Sequence, residues 1–176
     1  MRRILKHHSI PIIPTASINS KQFVASVLRC SPDILVSIGC PQIMKRQLLE
    51  AAPQGAVNLH GGYLPDFLGV FSPFWNLLKG ATHAGCTVHF VNEDIDAGAI
   101  LKCEQFPVAA DDTLLSLYEK ITRHGVTLLV TAFSEVEDGT FRTIRNSSTP
   151  ENYNSFPSRD DRARFHAAGH KVLSLG

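Results

Sequence analysis

Short apolar runs that alternate with helix-periodic segments constrain the fold of this chain more than anything else in it. Ile34-Leu35-Val36-Ser37-Ile38-Gly39 is mostly apolar and predicts a strand buried on both faces. Val57-Asn58-Leu59-His60 reads as a strand that stops in the turn Gly61-Gly62-Tyr63-Leu64-Pro65, and Cys86–Val91 as another. Ile10–Thr15, broken by Pro11 and Pro14, predicts an edge strand. Between these runs lie helical patterns. Asn19 or Ser20 caps a helix bearing Phe23, Val24, Val27 and Leu28, and Pro41 opens one with Ile43, Leu48 and Leu49. Ser72-Pro73 starts a helix carrying Phe74, Trp75, Leu77 and Leu78, with the hydroxyl as its cap and a stop at Gly80. Ala99–Val108 then reads as a bent strand. Asp111 or Asp112 caps a long helix with Leu114, Leu115, Leu117, Tyr118 and Ile121, weakened at Gly125 and closed at Gly139. Strand and helix in alternation imply a mostly parallel α/β sheet with helices on both faces.

At 176 residues the chain is long enough for one sizeable core. The periodic pattern fills residues 1–145. Residues 146–176 read as a polar C-terminal extension whose Ser158-Arg159-Asp160-Asp161 starts a short helix ended by Gly169. A formal charge of +1 gives no electrostatic footprint for nucleic acid or anionic membrane. No apolar run approaches the roughly 18 residues of a membrane span. Cys30, Cys40, Cys86 and Cys103 show no C-x-x-C spacing, so they read as free thiols of a cytoplasmic protein, with no metal site.

In such sheets ligands sit outside the carboxyl ends of strands. Asn58 and His60 are two apart and leave their strand on one face. Asp96, in the acidic turn after Cys86–Val91, is placed to reach them. An amide can hold a developing oxyanion, an imidazole can carry a proton, and a carboxylate can orient or charge the imidazole. That is the equipment of acyl transfer. Asp94 and Glu93 read as solvated turn residues, and His89, in an apolar strand, as a packed core histidine. Phe74 and Trp75 read as core, and Cys86 and Cys103 as small buried hydrophobes.

The blocks N-L-H-G-G-Y-L-P-D-F-L-G (58–69), S-P-F-W-N-L-L-K-G (72–80) and G-C-T-V-H-F-V-N-E-D-I-D-A-G-A-I-L (85–101) resemble the folate-dependent formyltransferases. This family includes glycinamide ribonucleotide, methionyl-tRNA and sugar-nucleotide formyltransferases and formyltetrahydrofolate hydrolase. The resemblance covers roughly residues 10–135. It implies a Rossmann-like sheet and transfer of a formyl group from 10-formyltetrahydrofolate to an amine, with Asn58, His60 and Asp96 catalytic. It also implies a folate site along Ile38, Gly39, Cys40, Pro41, Ile43 and Met44 and along Val91, Asn92, Glu93 and Ile95, held largely by backbone groups. Leu64-Pro65 would shape the turn between folate and acceptor.

Gly62 stands where many members carry serine, and Leu68 where many carry arginine. Both positions face the acceptor side in the family, so the resemblance leaves the acceptor open. Relatives also begin with a strand, a Gly-rich loop, a helix and a second strand, which are not seen ahead of Ile10. The fold expected from the resemblance is therefore N-terminally truncated, with the edge of Asp33–Gly39 open and Ile10–Thr15 stranded. The tail 153–161 does not look like a tRNA-gripping domain, so a small-molecule amine is the expected acceptor and tRNA is disfavoured. Hydrolysis of the donor, or a domain without catalysis, are the alternative readings.

Overall fold

Side chains that alternate between apolar and polar along two central strands set the architecture. In the computed structural model, which describes residues 2–174, Ala56–His60 forms β2, between Leu35–Ile38 (β1) and His83–Phe90 (β4). Ile100–Pro107 (β5) completes a sheet of order β1-β2-β4-β5. Leu68–Gly69 (β3) pairs separately with Tyr153–Asn154 (β6). Val57 and Val88 point to one face, where they form a buried cluster with Leu101 and with Leu129 and Ala132 of Leu114–Glu137 (α5). Further along the same face, Ala84, Cys86 and Phe106 pack with Leu117 and Ile121 of α5 and with Phe74 and Leu77 of Ser72–Leu78 (α4). Burying each large aliphatic side chain there stabilises the fold by roughly 1.5–3 kcal/mol. On the opposite face, Ala56 packs with Val24 of Lys21–Arg29 (α2), Leu48 of Arg46–Leu49 (α3) and Met44.

The chain is therefore α/β with helices against both faces. Its first ladder, β1 with β2, is parallel, as the alternation implies. The other two run antiparallel. The connection through α4 leads β4 back along β2, and the short turn 91–99 returns β5 directly beside β4.

Several local expectations need correction. Strand β1 is not buried on both faces: α5 packs on β2, β4 and β5, and on that face of β1 Val36 is 44% and Ile38 61% exposed. Ile10–Thr15 forms no strand, and Ile10, Ile12 and Ile13 are exposed. Two prolines remove donors there, and nothing in the sheet pairs with it. The segment opened by Pro41 becomes helical only at Arg46. Thr113, rather than Asp111 or Asp112, caps α5 through a reciprocal bond pair with Ser116. Asp112 instead accepts from Ser116 Oγ, Lys120 Nζ and Ala109 N. Ser72 does not cap α4. Its hydroxyl donates to the Gly61 carbonyl, and Phe71 precedes the helix in the left-handed region at φ 62°. Gly125 does not break α5, because its missing side chain lets the helix approach Leu59.

The last helix, Arg159–Ala167 (α6), is capped by Ser158 and lays Phe165 flat against Phe74 at 4.7 Å between ring centroids. Phe165 is 1% exposed. Phe165→Ala should therefore cost about 3–5 kcal/mol of unfolding free energy, measured by urea denaturation. A loss below about 0.5 kcal/mol, the range of surface substitutions, would mean that α6 is not part of this core.

Candidate active site

Strand pairing brings together what sequence spacing only suggests. Asn58 and His60 share the face of β2 away from α5, and the register sets Asn58 directly opposite His89 and His60 opposite Thr87. Asp96, in the turn after β4, folds back over this face. Its backbone is left-handed, with φ 46°. The Asp96 carboxylate lies 3.5 Å from His60 Nδ1, 3.6 Å from His89 Nε2 and 3.5 Å from Asn58 Nδ2. It also accepts a 3.0 Å hydrogen bond from the Gly69 N–H. All three residues expected to be catalytic are thus side by side.

Backbone carbonyls fix the tautomers, because a carbonyl only accepts. His60 Nε2 lies 2.7 Å from the Phe67 oxygen, so Nε2 carries the hydrogen and Nδ1, facing Asp96, is bare. His89 Nδ1 lies 2.8 Å from the Phe90 oxygen, so its Nε2 is bare and accepts from Asn58 Nδ2 at 3.2 Å. Two acceptors, His89 Nε2 and Asp96 Oδ1, therefore set the Asn58 amide with its NH2 group inward. His89 is the residue that sequence reading missed. It is buried as expected, but its role depends on a strand register that no local pattern reveals.

Burial pushes the His60 imidazole below its ordinary value. Asp96 and the Phe67 carbonyl oppose that shift, and His89 adds to it. Burial alone would raise the Asp96 carboxyl, but His89 and His60, in their protonated forms, and the Gly69 N–H hold it below its usual range. At neutral pH the site thus holds a carboxylate beside a neutral imidazole whose bare nitrogen faces it. One proton entering here is shared between His60 Nδ1 and Asp96.

The Gly-rich turn is fitted to this arrangement. Thr87 Oγ1 donates to the Gly62 carbonyl and accepts from Leu64 N, and the Leu64-Pro65 peptide is cis. A side chain at Gly62 would place its Cβ 2.6 Å from the Phe67 oxygen and 2.7 Å from His60 Nε2. This chain therefore has no room there for the serine many relatives carry. Leu68 is buried with Leu64 and Ile100 rather than turned toward a ligand.

The residues expected to hold folate form two neighbouring segments. Ile38, Cys40 and Met44 line a cavity of about 250 Å³ with Phe23, Leu35 and Leu48. Val91 packs on the cluster that contains Met44, which joins the two segments. Gly39 turns the chain out of β1 at φ 61°, and Pro41 and Ile43 are exposed beside it. Asn92 accepts from Asp94 N, while Glu93 and Ile95 are exposed. The cavity is apolar, so it suits the flat face of a ring system more than a charged group. Among the described residues, no three His, Cys, Asp or Glu side chains are arranged as metal ligands.

The family model described as formyl transferase matches residues 4–133. A methionyl-tRNA formyltransferase of Geobacillus sp. (strain WCH70) is 30% identical over 146 residues, which are 83% of this chain and 46% of that protein. The chain thus spans less than half of that curated relative. Among solved structures, a sugar N-formyltransferase from Shewanella sp. FDAARGOS_354 superposes with TM-score 0.69 at 25% identity, covering 86% of this chain and 65% of that one. An N-formyltransferase from Helicobacter canadensis, in complex with folinic acid and dTDP-3-aminofucose, shares the fold at TM-score 0.67 and 22% identity. That match covers 90% of this chain and 54% of the other.

Both pKa shifts make the fold sensitive to acid. His60 and Asp96 each bind a proton less readily folded than unfolded, so stability rises with pH through both transitions. The His60 contribution is complete above the ordinary imidazole value of 6.5 and is lost as the pH falls below it. The Asp96 contribution is lost further down, below 3.8. Tm should therefore fall between about pH 7 and pH 5, and His60→Gln should flatten that slope. An unchanged slope would mean that His60 is not held neutral. Gly62→Ala, by displacing the Phe67 carbonyl from His60, should lower turnover on the order of 10²-fold. Turnover within about twofold of the parent would show that the turn relaxes without moving His60.

Proposed function

This chain belongs to the formyl transferase family, and we propose that its site carries a formyl group from N10 of 10-formyltetrahydrofolate to the amino group of a small-molecule acceptor. The observation that carries this reading is the convergence of Asn58, His60, His89 and Asp96 on one sheet face, with a bare imidazole nitrogen aimed at a carboxylate. A folate donor is supported by the apolar cavity beside Met44 and by the folinic acid complex of the Helicobacter canadensis protein. A small-molecule acceptor is supported by the sugar N-formyltransferase relative and by a net charge of only +1, weak attraction for tRNA.

The roles follow from the bonds already made. The longer of the two Asn58 amide bonds, at 3.5 Å to Asp96, is the one readily exchanged for a formyl oxygen that gains negative charge. The acceptor nitrogen forms its bond to the formyl carbon and must then lose a proton. His60 Nδ1 takes it, and Asp96 stabilises the resulting imidazolium. The bond from carbon to N10 breaks as that proton is delivered to N10, which leaves the formylated amine and tetrahydrofolate. No redox partner or metal is required by this balance. The reaction places the chain in one-carbon metabolism, with the reducing cytoplasm as its proposed compartment. Four free cysteines, two of them exposed, suit that compartment. No helix among the described residues is long and apolar enough to cross a membrane.

The test is release of tetrahydrofolate from 10-formyltetrahydrofolate with a panel of amines that includes aminosugar nucleotides. Amine-dependent release is expected, with Asn58→Ala slower by about 10²–10³-fold, the effect of deleting one oxyanion donor. Equal formate release with and without amine would make the chain a hydrolase. No turnover and no effect of Asn58→Ala on donor binding would overturn the assignment.

A further inference from the structure

We propose that residues 144–155 form a strap that sets the position of Asp96 and His60, with Asn146 and Asn154 as positioning residues for the transfer chemistry. This rests on the reading of Asp96 and His60 given above. The strap begins where Ile144 exchanges backbone hydrogen bonds with Ile100, at the start of β5. Two residues later, Asn146 Nδ2 donates to the Asp96 carbonyl at 2.7 Å and to the Gly98 carbonyl at 3.0 Å. Its Oδ1 accepts from the N–H and the hydroxyl of Ser148. The side chain is thus committed at both ends. What it holds is a left-handed non-glycine residue, a conformation that persists where the surroundings impose it.

The strap then crosses to the other side of the carboxylate. Asn152 Nδ2 donates to the Pro65 carbonyl at 2.9 Å. Asn154, buried, donates to the Leu68 carbonyl at 3.2 Å and accepts from Lys79 Nζ at 2.6 Å. Its own carbonyl accepts from Val70 N, and Trp75 Nε1 donates to the Ser155 carbonyl. Between these anchors lie Gly69, whose N–H binds Asp96, and Phe67, whose carbonyl orients His60. Gly69 has φ 94°, and a side chain there would collide with the Asn154 carbonyl, so the fit is close. One polar segment therefore fixes the main chain of Asp96 through Asn146, and the partners of Asp96 and His60 through Asn154.

A filler segment would affect only stability, whereas a positioning segment changes the electrostatics at His60. Asp96 and His89 are the titratable groups that face His60, so the His60 titration reports where the Asp96 carboxylate sits. The experiment follows the His60 imidazole by ¹⁵N-edited NMR against pH in the full chain. Asp96→Asn should lower the His60 midpoint, because the carboxylate favours the imidazolium. Asn146→Ala should lower it by about half of that shift or more, and should add nothing in the Asp96→Asn background. Should Asn146→Ala fail to fold, Asn146→Ser removes the same reach to the Asp96 carbonyl while keeping a hydroxyl for Ser148. A His60 titration unmoved by either Asn146 variant, but moved by Asp96→Asn, would overturn the strap. A titration unmoved by Asp96→Asn would instead overturn the assignment of Asp96 to His60, on which the strap rests.

Discussion

The Asp96 carboxylate is the point on which the rest of the site depends. It touches His60, His89, the Asn58 amide and the Gly69 N–H, so three segments, β2, β3 and β4, agree on its position. A buried carboxylate is costly unless its lone pairs are satisfied. Here the Asn58 amide and the Gly69 N–H donate to it, so the cost of burying the charge is offset by bonds that also hold Asn58 and the turn beside His60 in place. The sheet supplies the platform: β2 and β4 carry apolar side chains to α5 on one face and polar ones to the site on the other.

How much of this was legible in the sequence divides along a physical line. Local chemistry was readable. The alternation in Ala56–His60, the cap at Ser158, the helix α2 and the close spacing of Asn58 and His60 each depend on a few neighbouring residues. What depended on distant partners was not. The burial of β1 depends on how far α5 reaches across the sheet, and Val36 and Ile38 are left exposed on that face. The role of His89 depends on its register against Asn58. The capping of α5 turned on a competition between adjacent polar residues, and Thr113 won because Ser116 answers it reciprocally while Asp112 is drawn to Lys120.

The C-terminal residues show the same division. Read alone, Asn146, Asn152 and Asn154 belong to a polar stretch with loop composition. In the fold their amides point at carbonyls of the two turns that frame Asp96. Asparagine suits this work, since it donates and accepts from one short, stiff side chain and carries no charge into a site already balanced between a carboxylate and two imidazoles. A lysine would reach the same carbonyls but bring a charge that changes the titration of His60.

The proton logic of the site is set by main-chain atoms rather than by side chains. The Phe67 and Phe90 carbonyls choose which nitrogen of each histidine is bare, and those carbonyls are present whatever residue stands at either position. What can be lost is their placement, which comes from the turn 61–69 and from the end of β4. This explains why a site of four conspicuous side chains needs so much inconspicuous support. Moving the Phe67 oxygen by an ångström would free Nε2 of His60 and let the ring turn its hydrogen toward Asp96, which would remove the bare nitrogen assigned to the amine proton in the proposed transfer. In the proposed transfer the four side chains carry the chemistry, but the backbone turns around them decide the direction in which a proton moves.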